Sequence, residues 1–351
     1  MTATNASSTV LLVGTNNGLF QARDRGGDLY ELSSLGPEGK IVMGFTVDPR
    51  DPQRIYAATQ NDGMWRTTDR GRSWQEINKG ILYKELWSLA QHPTTGDLYA
   101  GSQPPSIFKS TDGGDTWTDC RKIRSLEDSL HWTFPPPPHL AHVKHIALSA
   151  EDPSLVYGAI EEGWLIRSAD GGATWETQKQ GVSFDSHSVL LIPGEPSVVL
   201  ATSGGGVFRS ENAGESFKRS DKGIPAGITG GGYMGTAAVH PERPRVIFTG
   251  AAELPPPFWF TRSEGAKGFF YRSDDQGKSW SRLEGSEATR AAPRSTFIDP
   301  ADPDRVFFGM TDGSIWLTPD GGKSLRKVVE GLSGWIAAIH ITDARTMPEP
   351  T

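Results

Sequence analysis

Apolar and polar residues follow one recurring order along the chain. An apolar run enters a turn rich in Pro and Asp and leaves on a β-branched and aromatic run. FTVDPRDPQRIYAAT (45–59), LAQHPTTGDLYAGS (89–102), IALSAEDPSLVYGAI (146–160), AVHPERPRVIFTG (238–250) and FIDPADPDRVFFGM (297–310) all read this way. Each run is strand-sized, so the pattern predicts two antiparallel strands joined by a tight turn. A third short apolar run follows, ending in Arg or Lys before Ser or Thr (WRTT, FKST, IRSA, FRSE, YRSD). A fourth follows an intervening polar turn (SWQEI, TWTDC, TWETQ, SFKRS, SWSRL). The unit is therefore a four-stranded meander, with strands A to D in chain order.

The turn between strands C and D carries the strongest motif, Ser/Thr-x-Asp-x-Gly-x-Ser/Thr-Trp. It is complete in TTDRGRSW (67–74), STDGGDTW (110–117), SADGGATW (168–175) and SDDQGKSW (273–280). It is degenerate in SENAGESF (210–217), TPDGGKSL (318–325) and ARDRGGDL (22–29). Its third positions are Asp24, Asp69, Asp112, Asp170, Asn212, Asp275 and Asp320, a period of roughly 43 residues, which suits a four-stranded blade. Two intervals are longer, after Asp112 and after Asn212. Asp accepts hydrogen bonds from turn amides, Gly supplies positive φ, and Trp fills a slot between repeats. The motif is a structural staple.

The ends complete the count. GWIAAIHI (334–341) is an apolar run with no hairpin after it, and STVLLVGTNNGLFQARD (8–24) lacks a strand A before it. Joined as one blade (8–32 with 334–341), with the C-terminal strand innermost, they bury both edges and close the ring. The expectation is an all-β fold, a seven-bladed β-propeller of four-stranded antiparallel blades spanning 1–351 as one domain.

These repeats resemble the Asp-box (BNR-repeat) propellers. That superfamily includes sialidases, sortilin-type receptors, some xyloglucanases and the photosystem II stability/assembly factor group. The resemblance covers nearly the whole chain and implies a fold rather than a function. The all-repeat layout is closest to the bacterial relatives of the assembly-factor group, which implies an interaction scaffold. A sialidase-like exo-glycosidase is the less favoured alternative. No Arg-Ile-Pro-like segment precedes the first box, where the only arginine is Arg23.

Composition narrows the partners. The 351 residues carry 35 basic and 42 acidic side chains, a net charge of −7, which argues against nucleic-acid binding. Apolar stretches such as 188–192 and 335–339 are far short of a membrane span. The N-terminus has no basic residue ahead of its short apolar run and does not read as a secretory signal. The single cysteine, Cys120, cannot form an intrachain disulfide and has no nucleophile pattern around it. A cytoplasmic setting is expected. The Gly-rich strings SGGGVF (203–208) and TGGGY (229–233) precede no helix, so they read as turns and not phosphate loops.

Topology then locates a site. D-to-A and B-to-C connections share one face, opposite the boxes. The two long intervals, about 119–141 and 251–268, fall on that face, and each holds a Pro run beside Trp and Phe. Long loops on a rigid scaffold are where function concentrates. The starts of the A strands should line the same mouth. The catalytic candidates expected there are Lys144, Glu162, Asp185, His187, Tyr233 and Arg294. Ligand-binding walls are expected from His145, Trp87 and Trp335, with a roof of Trp132, Phe134, Phe258 and Trp259. Cationic and imidazole groups beside carboxylates suit a polar or anionic small molecule, bound or turned over by hydrolase- or lyase-type chemistry. A protein partner docking on this face is the alternative. No cofactor is called for. His131, His139, His142 and His145 invite a metal reading, but His142 and His145 lie an odd number apart and would face opposite sides of a regular strand. No metal is assigned to them. His92 and His240 read as turn residues.

Overall fold

The computed structural model describes residues 9–26, 30–343 and 347. The end of the first degenerate box (27–29) and residue 8 of the closing blade lie outside the described residues. Seven four-stranded sheets are present, all antiparallel between neighbours. Six blades follow the meander. In the second blade, for example, the strands are Val42–Val47, Ile55–Thr59, Gly63–Thr67 and Gln75–Glu76, from the axis outward. The closing blade takes its inner strand, Ala338–Asp343, from the C-terminus and the other three, Thr9–Thr15, Gly18–Asp24 and Tyr30–Gly36, from the N-terminus. Val13 pairs with Ile339 and Leu11 with Ile341, so the ring closes through backbone hydrogen bonds as expected. The strand itself begins after Ala337, because 334–337 form the connection entering it.

The boxes are hydrogen-bonded staples. In the third blade Asp112 Oδ1 accepts from the Ser110 hydroxyl (2.7 Å) and the Thr116 amide (2.9 Å), while the Gly114 amide donates to Ser110 Oγ (2.9 Å). Gly114 sits at φ +90°, where a side chain would be strained. Asn212 reproduces the arrangement, accepting from the Ser216 amide at 3.0 Å. The box Trp reaches across the blade junction. Trp117 Nε1 donates to the Ile77 carbonyl, Trp280 to Ser220 and Trp74 to Leu35, each in the preceding blade. Trp175 departs from this and donates to Gly172 of its own box. The core is a ring of inter-blade clusters, such as Tyr56, Ile77, Leu98, Phe108 and Trp117 between the second and third blades. His92 and His240 close A-to-B turns, each accepting two backbone amides on Nδ1. Among the described residues no helix is long and apolar enough to cross a membrane.

Candidate functional site

One irregularity of the inner strands builds the site. In all six meander blades the pairing of strand A with strand B slips near the upper end of strand A. The residues skipped are Met43, Trp87, Lys144, His187, Arg294 and the pair Gly235–Thr236. A bulge leaves its extra residue out of the ladder and re-aims the side chain. Every one of these residues lines a single cavity of about 250 Å³ at the channel mouth, which also touches the closing blade through Ala337, Ala338 and Ile339. Aligned on Pro49, Pro93, Pro193, Pro241 and Pro300, five of the bulges fall at one repeat position. That column mixes Met, Trp, His, Gly and Arg within otherwise apolar strands, a signal the sequence does carry.

The polar side of the cavity is organised by Glu161, the last residue of strand B in the fourth blade. Its Oε1 lies 2.6 Å from Lys144 Nζ and 3.9 Å from His187 Nε2, and its Oε2 lies 2.8 Å from His142 Nε2. Asp185 Oδ1 stands 3.2 Å from His187 Nε2. His187 Nδ1 donates to the Met234 carbonyl at 2.7 Å, across to the sixth blade. Burial works against ionising Glu161, but Lys144, His142 and His187 outweigh it and hold its carboxyl well below the usual range. Asp185 is also lowered: burial opposes its ionisation, and His187 overcomes it. Glu162 runs the other way. Burial, then Asp185 and Glu161, raise its carboxyl. Burial also raises the Tyr233 phenol well above its ordinary value, with Glu161 and Asp185 adding to it.

Arg294 is the cation of the opposite wall. Its guanidinium lies 4.6 Å from the centre of the Trp335 ring and forms no ion pair with any described residue. Burial pulls its pKa down, against the attraction of Glu161 and Tyr233.

Lys144, His145, His187, Tyr233, Arg294, Trp87 and Trp259 therefore line the cavity together. Asp185 reaches it through His187, and Glu162 sits beside Asp185 in left-handed backbone (φ 53°). Trp335 enters only as the surface beneath Arg294. The roof departs from expectation. Trp259 joins it, edge-on to Tyr233 at 5.4 Å and anchored by Nε1 to the Leu254 carbonyl. Phe134 lies one layer back, against Trp87 and His142. Trp132 packs with Ile123 and Ile160 beneath its own loop, and Phe258 faces Arg262. The sequence does not say which aromatic of a Pro-rich loop turns to its own support instead of the cavity.

Strand parity also fails for His142 and His145. The bulge at Lys144 places them opposite Glu161 and Ala159, two residues apart on the neighbouring strand. They still do not converge, since His142 stacks on Trp87 at 3.7 Å while His145 Nδ1 accepts from the Val189 amide. His139 bonds the Phe134 carbonyl instead. Glu161 is the hub that sequence reasoning passed over in favour of Glu162. Its pairing opposite His142 is a matter of register.

The upper face around the cavity is also apolar in places. Leu82, Leu130, Leu140, Ile228 and Phe260 are the large exposed hydrophobics among the described residues, and all lie in connections of this face.

The BNR/Asp-box repeat matches residues 271–282. No curated protein sequence matches significantly. The fold is similar to that of a GH74 xyloglucanase from Xanthomonas campestris, at 18% identity and TM-score 0.68, over 91% of this chain and 52% of that one. The chain thus spans about half the length of that enzyme. It is also similar to YCF48 from Cyanidioschyzon merolae, at 16% identity and TM-score 0.61, over 90% and 92% of the two chains. A YCF48 structure bound to D1 peptide matches at 17% identity and TM-score 0.60, over 88% of each chain. At such identities the likeness is one of fold.

Proposed function

We propose that the channel mouth binds a small anionic molecule and carries out acid–base chemistry on it. The observation behind this reading is Arg294, a cation in a walled cavity with no carboxylate partner among the described residues. A half-buried charge without a counterion in a walled cavity is costly, and a ligand carboxylate or phosphate relieves that cost while taking the fork of the guanidinium. Lys144 is already engaged by Glu161, so it adds field more than a free contact. The His187–Asp185 pair supplies a base, and Glu162, whose carboxyl is raised, supplies a proton donor. Tyr233 and Trp259 give an apolar wall for the body of the ligand. This favours a hydrolase- or lyase-type reaction on a polar substrate. A cytoplasmic setting fits the lone Cys120.

The test is a thermal-shift screen of small carboxylates, sugar acids and phosphate esters. A ligand at a hundred times its dissociation constant adds about 2.7 kcal/mol of apparent stability. Wild type should be stabilised by a subset of anions and Arg294→Met by none. Equal shifts in both proteins would reject the reading.

A second reading is favoured by the exposed apolar side chains of the same face: a protein partner docks there through Leu130, Leu140, Ile228 and Phe260. The D1 peptide held by YCF48 is a peptide on a similar scaffold. Capture of a partner that is lost in Leu130→Glu and Phe260→Glu but kept in Arg294→Met would support this reading.

A further inference from the structure

We propose that Glu161, Asp185 and His187 form a binding site for a divalent transition-metal ion. One ligand atom from each lies within 4.8 Å of the others, a cluster that one ion can bridge. The argument rests on His187. Its ring is 3% exposed, and Nδ1 is committed as donor to the Met234 carbonyl at 2.7 Å. In the neutral ring that bond leaves the lone pair on Nε2. An imidazole that ligates a metal is held in this way, with its other nitrogen donating to a backbone carbonyl or carboxylate.

Nε2 has no hydrogen-bond partner among the described residues. It points between two carboxylates, 3.2 Å from Asp185 Oδ1 and 3.9 Å from Glu161 Oε1, without alignment to either. A cation between the three groups would satisfy the ring nitrogen and both carboxylates at once. One imidazole and two carboxylates suit Zn²⁺ or Mn²⁺ better than the all-oxygen preference of Mg²⁺ or Ca²⁺. His187 and Lys144 both border the cavity, so the ion keeps an open side toward it. Gly204 makes room at the back: a Cβ there would fall 1.9 Å from Asp185 Oδ2.

Lys144 competes with the ion. Its ammonium is 2.6 Å from Glu161 Oε1, the oxygen nearest His187. Metal binding therefore displaces Lys144 from that oxygen into the cavity. This gives the proposal a consequence of opposite sign to ligand removal: taking Lys144 away strengthens metal binding.

Chelator-stripped protein is titrated calorimetrically with Zn²⁺ and Mn²⁺, with no organic ligand present, and the visible spectrum is followed with Co²⁺. Wild type should take up one equivalent. Asp185→Asn, which keeps the side-chain shape, and His187→Gln should each weaken uptake tenfold or more, while Lys144→Met tightens it. Arg294→Met should bind metal as wild type does, so this proposal and the anion reading can fail separately. The proton-accepting role given to His187 belongs to the metal-free protein, since Nε2 cannot hold an ion and take a proton at once. Absence of saturable one-equivalent uptake in the wild type would overturn the site. Unchanged affinity in Asp185→Asn would overturn it as well.

Discussion

The Nδ1 atom of His187 lies 2.7 Å from the carbonyl oxygen of Met234, a contact between the inner strands of the fifth and sixth blades. It joins one bulge to the edge of the next, because Met234 is the last paired residue before Gly235 and Thr236 leave the ladder. His187→Phe fills the volume but leaves a buried carbonyl unpaired, which costs about 1–3 kcal/mol. The expected result is a lower urea midpoint with an unchanged slope. An unchanged midpoint would mean the bond is not holding the two blades.

The boxes make the fold sensitive to acid. Hydrogen bonds from Thr116 lower Asp112 to about 2, and those from Thr174 do the same for Asp170. A carboxyl depressed in the folded state stabilises fully above its unfolded pKa of roughly 4 and loses that contribution as pH falls through about 2. Asn212 shows that an amide can hold the same turn. Asp112→Asn should therefore melt like wild type near neutrality and lose less stability between pH 4 and pH 2.5. A parallel loss in both proteins would contradict this.

Much of this was legible in the chain, and the boundary falls at an identifiable place. Asp112, Gly114 and Trp117 are one local unit whose chemistry dictates a turn, so the repeat, the blade count and ring closure through Val13 and Ile339 follow from short-range pattern. The bulges break the alternation that such patterns rest on. Lys144 sits between paired neighbours Val143 and His145, and nothing in their identities announces that it is skipped. The parity argument for His142 and His145 failed for that reason. The choice between Glu161 and Glu162 depends on which carboxylate lies opposite His142, and the fates of Trp132 and Phe258 depend on loop packing.

Closure by the C-terminal strand should dominate stability. Ile339 is buried in the cluster with Leu11, Val13 and Phe307 and pairs directly with Val13. Ile339→Ala should cost about 2–5 kcal/mol. Leu130→Ala, at an 83% exposed position, should stay within about 0.5 kcal/mol of wild type. Denaturant titration of the two variants checks both values, and a loss at Ile339 no larger than at Leu130 would show that the seam contributes little.

Cys120 should be inert in the native protein. Burial pushes its thiol up to about 12, and the Asp119 carboxylate adds to the effect. A disulfide reagent needs the thiolate. Labelling at pH 8 should be slow in buffer and complete on unfolding in urea. Rapid native labelling would show that the connection entered at Cys120 opens readily.

The claim that an anion completes the channel mouth is tested most directly by calorimetric titration of its best stabilising ligand into wild type, Arg294→Lys and Arg294→Met. Saturable one-to-one binding is expected in the wild type, weaker binding when the planar fork becomes a point charge, and none detectable when the charge is gone. Binding of equal strength in all three proteins would contradict it and place the ligand elsewhere.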